Sequence, residues 1–296
     1  MAKVEANGIR IEYETFGSQD SPALLLIIGL GGQLIAWDEK LCRRLARKGH
    51  YVIRFDNRDA GLSTKIEAAG VPDIIKTIDA LAKGETVQPP YTIEDMAADA
   101  VGLLDALGIE KAHLCGMSMG GMIAQAIALN YPQRVLSLIS IYSRTGDPQE
   151  PPPTPAAMEF LVGSPPVERE AYIEYMMKLF NTISGPAFAY DQQWLRSFVN
   201  QSYDRSFCPQ GAARQLVAIL TQKNRKPGLE TLTTPTLVVH GADDPLVRVE
   251  GGKNTAAAIP GAELMAIDGM GQDLPHGGAW PKIMDAVADH TQLADS

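Results

Sequence analysis

The sequence predicts an α/β fold: a mostly parallel central sheet with helices on both faces, interrupted late in the chain by a helical insertion. Three observations lead there. Short, continuously apolar runs recur without the alternation of a half-exposed sheet, as suits strands covered on both faces. Helical stretches separate these runs, so successive strands run parallel through crossovers. One interval of about ninety residues shows no strand pattern at all. A chain of 296 residues accommodates one large core plus such an insertion.

In order, "KVEANGIRIEYETFG" alternates apolar and polar residues about Asn7-Gly8, the signature of a hairpin. "ALLLII", Ala23 to Ile28, is the first buried strand and runs into the glycine loop "GLGG". "YVIRFD" (Tyr51 to Asp56), "AHLCG" (Ala112 to Gly116), "VLSLISI" (Val135 to Ile141), "TLVVHG" (Thr236 to Gly241) and "ELMAI" (Glu263 to Ile267) continue in the same style. Between them lie stretches such as "TIEDMAADAVGLLDALG", where Thr92 and Asp95 have the spacing of a capped helix start.

The strandless interval opens with "GDPQEPPPTP", a stiff linker that disfavours both helix and sheet. Helical stretches come next, carrying Met158, Phe160, Tyr172, Met176, Met177, Phe180, Phe188 and Trp194. These read as a cap, with each apolar residue either sealing cap to core or touching substrate. The expected division is therefore residues 1–142 as the first part of the core, 143–232 as the cap and 233–296 as the rest of the core.

Apolar and charged fractions of 45% and 21% are ordinary for a soluble globular protein. A net charge of -9 argues against nucleic acid or an anionic membrane as partner. Cys42, Cys115 and Cys208 lie far apart, an odd number with no CxxC pair, which suits reduced thiols rather than a disulfide framework or zinc site. No signal core precedes the first strands, and no run approaches the roughly 18 apolar residues of a membrane span. A cytoplasmic location is expected.

The chemistry-bearing motif is "GMSMG", Gly116 to Gly120, between a strand and a helix. Glycines two before and two after Ser118 allow a sharp, strained turn that exposes a nucleophilic hydroxyl. The same turn sets the Met119 amide at a helix N-terminus, where a developing oxyanion is stabilised. A second donor is expected from "IIGLGGQ", with the Leu30 amide the candidate. After a late strand, "VVHGADDPLV" offers an acid: Asp244, rigidified by Pro245, with Asp243 as the alternative. The chain order serine, acid, then a residue in the last loop separates this pattern from other parallel-sheet folds.

These motifs resemble the α/β-hydrolase superfamily over nearly the whole chain. "RFDNRDAGLS", "GMSMGG", "ADDPLV" and "GMGQDLP" look closest to the aclacinomycin methylesterase group of small esterases. The resemblance implies Ser118 as nucleophile, Asp244 as acid, and the Leu30 and Met119 amides as oxyanion hole. In "FDNRDAGLS" it implies that Asp56 and Arg58 brace the loop beside the elbow. It also implies a carboxylic ester as substrate; the apolar cap points to a moderately hydrophobic small molecule, and no motif implies a cofactor. Lactone or carbon–carbon bond hydrolysis on the same scaffold is the enzymatic alternative.

One position departs from the group. Its members carry Gly-Met-Gly-His where this chain has Gly269, Met270, Gly271 and Gln272. Glutamine has a reach similar to imidazole but cannot accept the serine proton at neutral pH. Three readings are open: a substitution introduced to trap substrate or acyl-enzyme, a non-catalytic ligand-binding protein, or His276 as a displaced base. Of the other histidines, His113 reads as a packed core residue, His240 as a neighbour of the acid, and His50 and His290 as surface residues. No His/Cys/Asp cluster has metal-ligand spacing, and no glycine loop has a phosphate-binding pattern.

Overall fold

The apolar runs join one sheet, where the central ones bury both faces but Glu263–Ile267, at the sheet edge with only one neighbouring strand, is largely exposed, contrary to expectation. The computed structural model describes residues 1–294. Among these, eight strands form the sheet: β1 (Ala2–Ala6), β2 (Ile9–Phe16), β3 (Ala23–Ile27), β4 (Tyr51–Phe55), β5 (Ala112–Met117), β6 (Val135–Ile141), β7 (Thr236–Gly241) and β8 (Glu263–Ile267). Their order is β1-β2-β4-β3-β5-β6-β7-β8. The β1–β2 and β2–β4 pairs are antiparallel and the rest parallel. Asn7 (φ 49°) and Gly8 (φ 75°) make the left-handed two-residue turn that sets Ala6 opposite Ile9.

The helices are α1 (Glu39–Arg47), α2 (Ile74–Ala82), α3 (Ile93–Ala106), α4 (Met119–Asn130), α5 (Pro155–Val162), α6 (Arg169–Ile183), α7 (Gln192–Arg205), α8 (Pro209–Leu220), α9 (Lys226–Leu229), α10 (Val249–Ala258) and α11 (Trp280–Ala294). Side chains alternate across β3, so Leu25 and Ile27 pack with α3 and α4, through residues such as Met96, Leu104, Ile123 and Ile127. Leu24 and Leu26 face the other way, toward Leu41 and Leu45 of α1 and Trp280, Ile283 and Val287 of α11. The start of α3 is a capping box. Thr92 Oγ1 accepts from the Asp95 amide (3.1 Å), and Asp95 Oδ2 accepts from the Thr92 amide (2.8 Å).

Between β6 and β7 the described chain holds helices α5 to α9 and no strand. Ile173, Met177, Tyr190, Leu195 and Val199 form a small core of their own, tied to the main one through the partly buried Phe198 and Leu274. Two further expectations need correction. The proline-rich linker does not exclude helix throughout, because its last proline, Pro155, opens α5 at the position where a missing N–H costs nothing. His50 is buried rather than at the surface, its ring meeting Leu45 O (3.2 Å) and Thr291 Oγ1 (2.7 Å), and His290 is half-buried.

Candidate active site

Strand β5 ends in a turn that only small flanking residues permit. Ser118 has φ 55° and ψ -122°, a strained conformation for a residue with a side chain. A Cβ on Gly116 would lie 2.1 Å from Gly120 O, and one on Gly120 would lie 2.1 Å from Ile27 O. The two glycines therefore let β5, α4 and the end of β3 close on one another. The Ser118 amide donates to Ile141 O (2.9 Å), and Ser143 Oγ donates to Ser118 O (2.8 Å), which pins the turn to β6. Ser118 remains partly exposed, as a nucleophile must. Met119 begins α4, so its N–H belongs to the first helical turn, which has no partner within the helix.

The glycine loop after β3 lies against this turn; a Cβ on Gly29 would come within 3.1 Å of Ser118 Cβ. Gly32 N–H donates to Gly29 O (3.1 Å), and Gly31 has φ 65°, so Leu30 sits within a tight turn. Among the described residues no protein group takes up the Leu30 N–H. Side chains from elsewhere hold the rest of the loop. Asn57 Nδ2 donates to Ile28 O (3.0 Å), Asp56 Oδ1 accepts from Leu34 N–H (2.7 Å), and Gln215 Oε1 accepts from Gly31 N–H (2.8 Å). Asp56 also accepts from Leu62 N–H (2.8 Å) and pairs with Arg205 (2.8 Å), so it braces the site loop as expected. Arg58 turns away instead, to a two-point ion pair with Asp99 on α3.

At the end of β7, Asp244 rather than Asp243 faces Gln272. Its Oδ1 accepts from the Leu246 and Val247 amides (2.8 and 2.9 Å). Asp243 instead accepts from Gly269 N–H (2.8 Å) and fastens the turn after β8. Burial raises the proton affinity of Asp244 well above the usual carboxylate range, against the pull of its two amide donors. His240 Nε2 lies 3.6 Å from Asp244 Oδ2, but burial lowers its pKa to about 4, so it supplies no charge at neutral pH.

Gln272 bridges the serine and the acid. Against a carboxylate, its amide nitrogen donates to Asp244 Oδ2 (3.0 Å) and its oxygen accepts from Ser118 Oγ (2.9 Å). The contact thus closes without a base. His276, the alternative base, stacks on Trp194 (3.6 Å between centroids, 8° between planes) and pairs with Asp38 Oδ2 (2.9 Å). Among the described residues it makes no hydrogen bond to Ser118 or Asp244.

Sequence reasoning missed three residues that shape this site. Asp273 accepts from the Gly185 and Gly271 amides (3.1 and 3.0 Å), and burial lifts its pKa to about 6. Tyr142, at φ 33°, donates to Met117 Sδ (3.0 Å) and Asp273 O (3.2 Å). Gln215, on α8, is fully buried. A signal existed for the last: Arg214 and Gln215 interrupt the apolar run of "GAARQLVAIL", and polar residues there must find partners.

A family model for the alpha/beta hydrolase fold matches residues 22–276, and the chain belongs to that family. Its methylesterase likeness extends beyond motifs. A rhodomycin D methylesterase of Streptomyces sp. (strain C5) is 27% identical, over 95% of this chain and 94% of its own. The 3-oxoadipate enol-lactonase 2 of Acinetobacter baylyi is also 27% identical, over 84% of this chain and 81% of its own. Among solved structures, the enol-lactonase from Burkholderia xenovorans LB400 superposes with a TM-score of 0.74 at 21% identity, covering 98% of this chain and 100% of that one. That last likeness speaks to the fold.

Proposed function

We propose that this hydrolase acts on carboxylic esters of moderately hydrophobic small molecules, with Ser118 as nucleophile, and that Gln272 holds it at a small fraction of its potential rate. The carrying observation is the hydrogen-bonded series Ser118, Gln272, Asp244, complete except for a base. Ser118 Oγ attacks the ester carbonyl, and the oxyanion forms against the Leu30 and Met119 amides. The alcohol leaves, and water then releases the acid from the acyl-enzyme. A base at position 272 would take the serine proton and hand it to the leaving alcohol, while Asp244 steadies its charge. A neutral amide does neither.

Residues 143–232 serve in this reading as a cap over the site, and the aromatic and methionine side chains of α6 and α7 support an apolar substrate group. The methylesterase relative supports a simple ester, and the lactonase relative supports a second reading in which the ester is internal to a ring. Unpaired Cys42, Cys115 and Cys208 support a reducing, cytoplasmic setting; burial pushes the Cys42 thiol up to about 12 and keeps it inert. Neither a cofactor nor a metal enters the scheme.

Gln272→His tests it. Turnover of an ester and lactone panel should rise by at least about a thousand-fold, and Asp244→Asn in that background should remove most of the gain. Brisk hydrolysis with Gln272 in place, or no gain from the substitution, would refute the proposal.

A further inference from the structure

We propose that Gln215 is a positioning residue for the oxyanion hole, setting the Leu30 amide from α8, a helix outside the sheet. The proposal rests on the esterase reading of the Ser118 site. Gln215 is fully buried and uses both ends of its amide: Oε1 accepts from Gly31 N–H (2.8 Å), and Nε2 donates to Arg58 O (2.7 Å). A buried amide that loses a partner pays a full desolvation cost, so both contacts hold firmly.

The geometry makes the first contact matter for chemistry. Gly31 comes directly after Leu30, and its N–H lies in the peptide that adjoins the Leu30 Cα. Fixing that N–H fixes the orientation of the plane on one side of Leu30. On the other side, the Gly29 carbonyl, part of the same peptide as the Leu30 N–H, accepts from Gly32 N–H (3.1 Å). The candidate donor thus lies in one fixed peptide and adjoins the other across the Leu30 Cα, and that second peptide is held by Gln215 alone among the described side chains. The turn needs Gly31 at φ 65°, and a Cβ there would also press on Ala212 Cβ at 3.3 Å.

The clamp is itself rigid. Arg214, one residue earlier, makes a buried two-point ion pair with Asp59 (2.8 and 2.7 Å). At the start of α8, Gly211 approaches so closely that an added Cβ would sit 2.1 Å from Asp59 O. Helix α8 therefore grips the loop after β4 with Arg214 and the loop after β3 with Gln215. Donors fixed before the reaction stabilise an oxyanion without reorganising, which is where their catalytic value lies.

The test uses the full chain in the Gln272→His background. Gln215→Met keeps the side-chain length and removes both hydrogen bonds. We expect kcat to fall about 10- to 100-fold with KM changed less than about threefold. Affinity for a trifluoromethyl ketone, which forms an oxyanion on Ser118, should fall in parallel, and that for an unreactive ether analogue should not. Gln215→Glu keeps an acceptor for Gly31 N–H and should retain more of kcat than Gln215→Met. Where Gln215→Met does not fold, Gln215→Asn, withdrawn by one methylene, replaces it with the same readouts. Unchanged kcat in a folded variant, equal loss for both analogues, or equal loss from Met and Glu overturns the proposal. Should the Gln272→His parent hydrolyse no ester, the esterase reading fails separately. Phosphonylation of Ser118 in the protein with Gln272 then decides the role of Gln215. Slower labelling in Gln215→Met supports it; equal labelling, or none in either protein, overturns it.

Discussion

Amide and imidazole side chains have similar reach, and at position 272 the amide closes the gap between Ser118 and Asp244 at ordinary hydrogen-bond distances. The difference is basicity. An amide oxygen does not take a proton near neutral pH, so in the proposed scheme Ser118 keeps its strained exposure and its oxyanion donors but lacks an activator. Such a serine should still react slowly with a strong phosphonylating reagent, and peptide mass analysis should place the adduct on Ser118. His276→Ala should leave that labelling rate unchanged, because His276 is engaged by Asp38 and Trp194. Loss of labelling in His276→Ala would restore it as the displaced base. Equal adduct on a Ser118→Ala protein would remove Ser118 as nucleophile.

Helices α6 and α7 pack on each other through Ile173, Met177, Leu195 and Val199. The Trp194 ring stacks between this small core and the loop after Gln272, lying against Tyr190 (6.0 Å), Phe198 (5.6 Å) and His276 (3.6 Å). The aromatic stack thus links the proposed cap to the loop carrying position 272. Truncating Met176, Met177 or Trp194 to Ala in the Gln272→His background should shift the preference between short and bulky esters. It should lower thermal stability less than truncating Leu25 or Ile139, which lie fully buried in the central strands. Chain-length selectivity unchanged in all three variants would reduce these helices to scaffold. Element by element, the strands were readable because a continuous apolar run has few alternatives. Pro155 was not, since a proline can close one segment or open the next, and the residues on its C-terminal side decide which.

Across the whole molecule, burial shifts two carboxyls of the site toward their protonated forms. Burial pushes the Asp273 carboxyl up to about 6 in the folded protein, against about 4 in an unfolded chain, and pushes Asp244 in the same direction. The native state therefore holds more protons than the unfolded state between those values. The stabilising contribution is complete below about 4 and is lost as pH rises through about 6. Thermal melts of the parent and of Asp273→Asn should show this as a difference: between pH 4 and 7 the parent loses stability relative to the variant. Parallel melting curves across that range would mean that Asp273 does not carry the effect.

Much of this protein is set by local pattern. Apolar runs, glycine spacing and turn residues determined the α/β class, the sharp turn at Ser118 and the candidate acids of "ADDPLV", because each depends on neighbours a few residues away, whereas the expectation of a base at position 272 came from the family resemblance. The braces were decided elsewhere. Gln215 meets Gly31 across 184 residues, Arg205 meets Asp56, and His276 meets Trp194. The burial of His50, and which of Asp243 and Asp244 faces Gln272, depend on the tertiary structure in the same way. Such contacts depend on which surfaces of separate helices and loops come together. A polar side chain's partner in a packed interior is fixed by that approach and by the cost of leaving it unpaired, neither of which has a spacing along the chain.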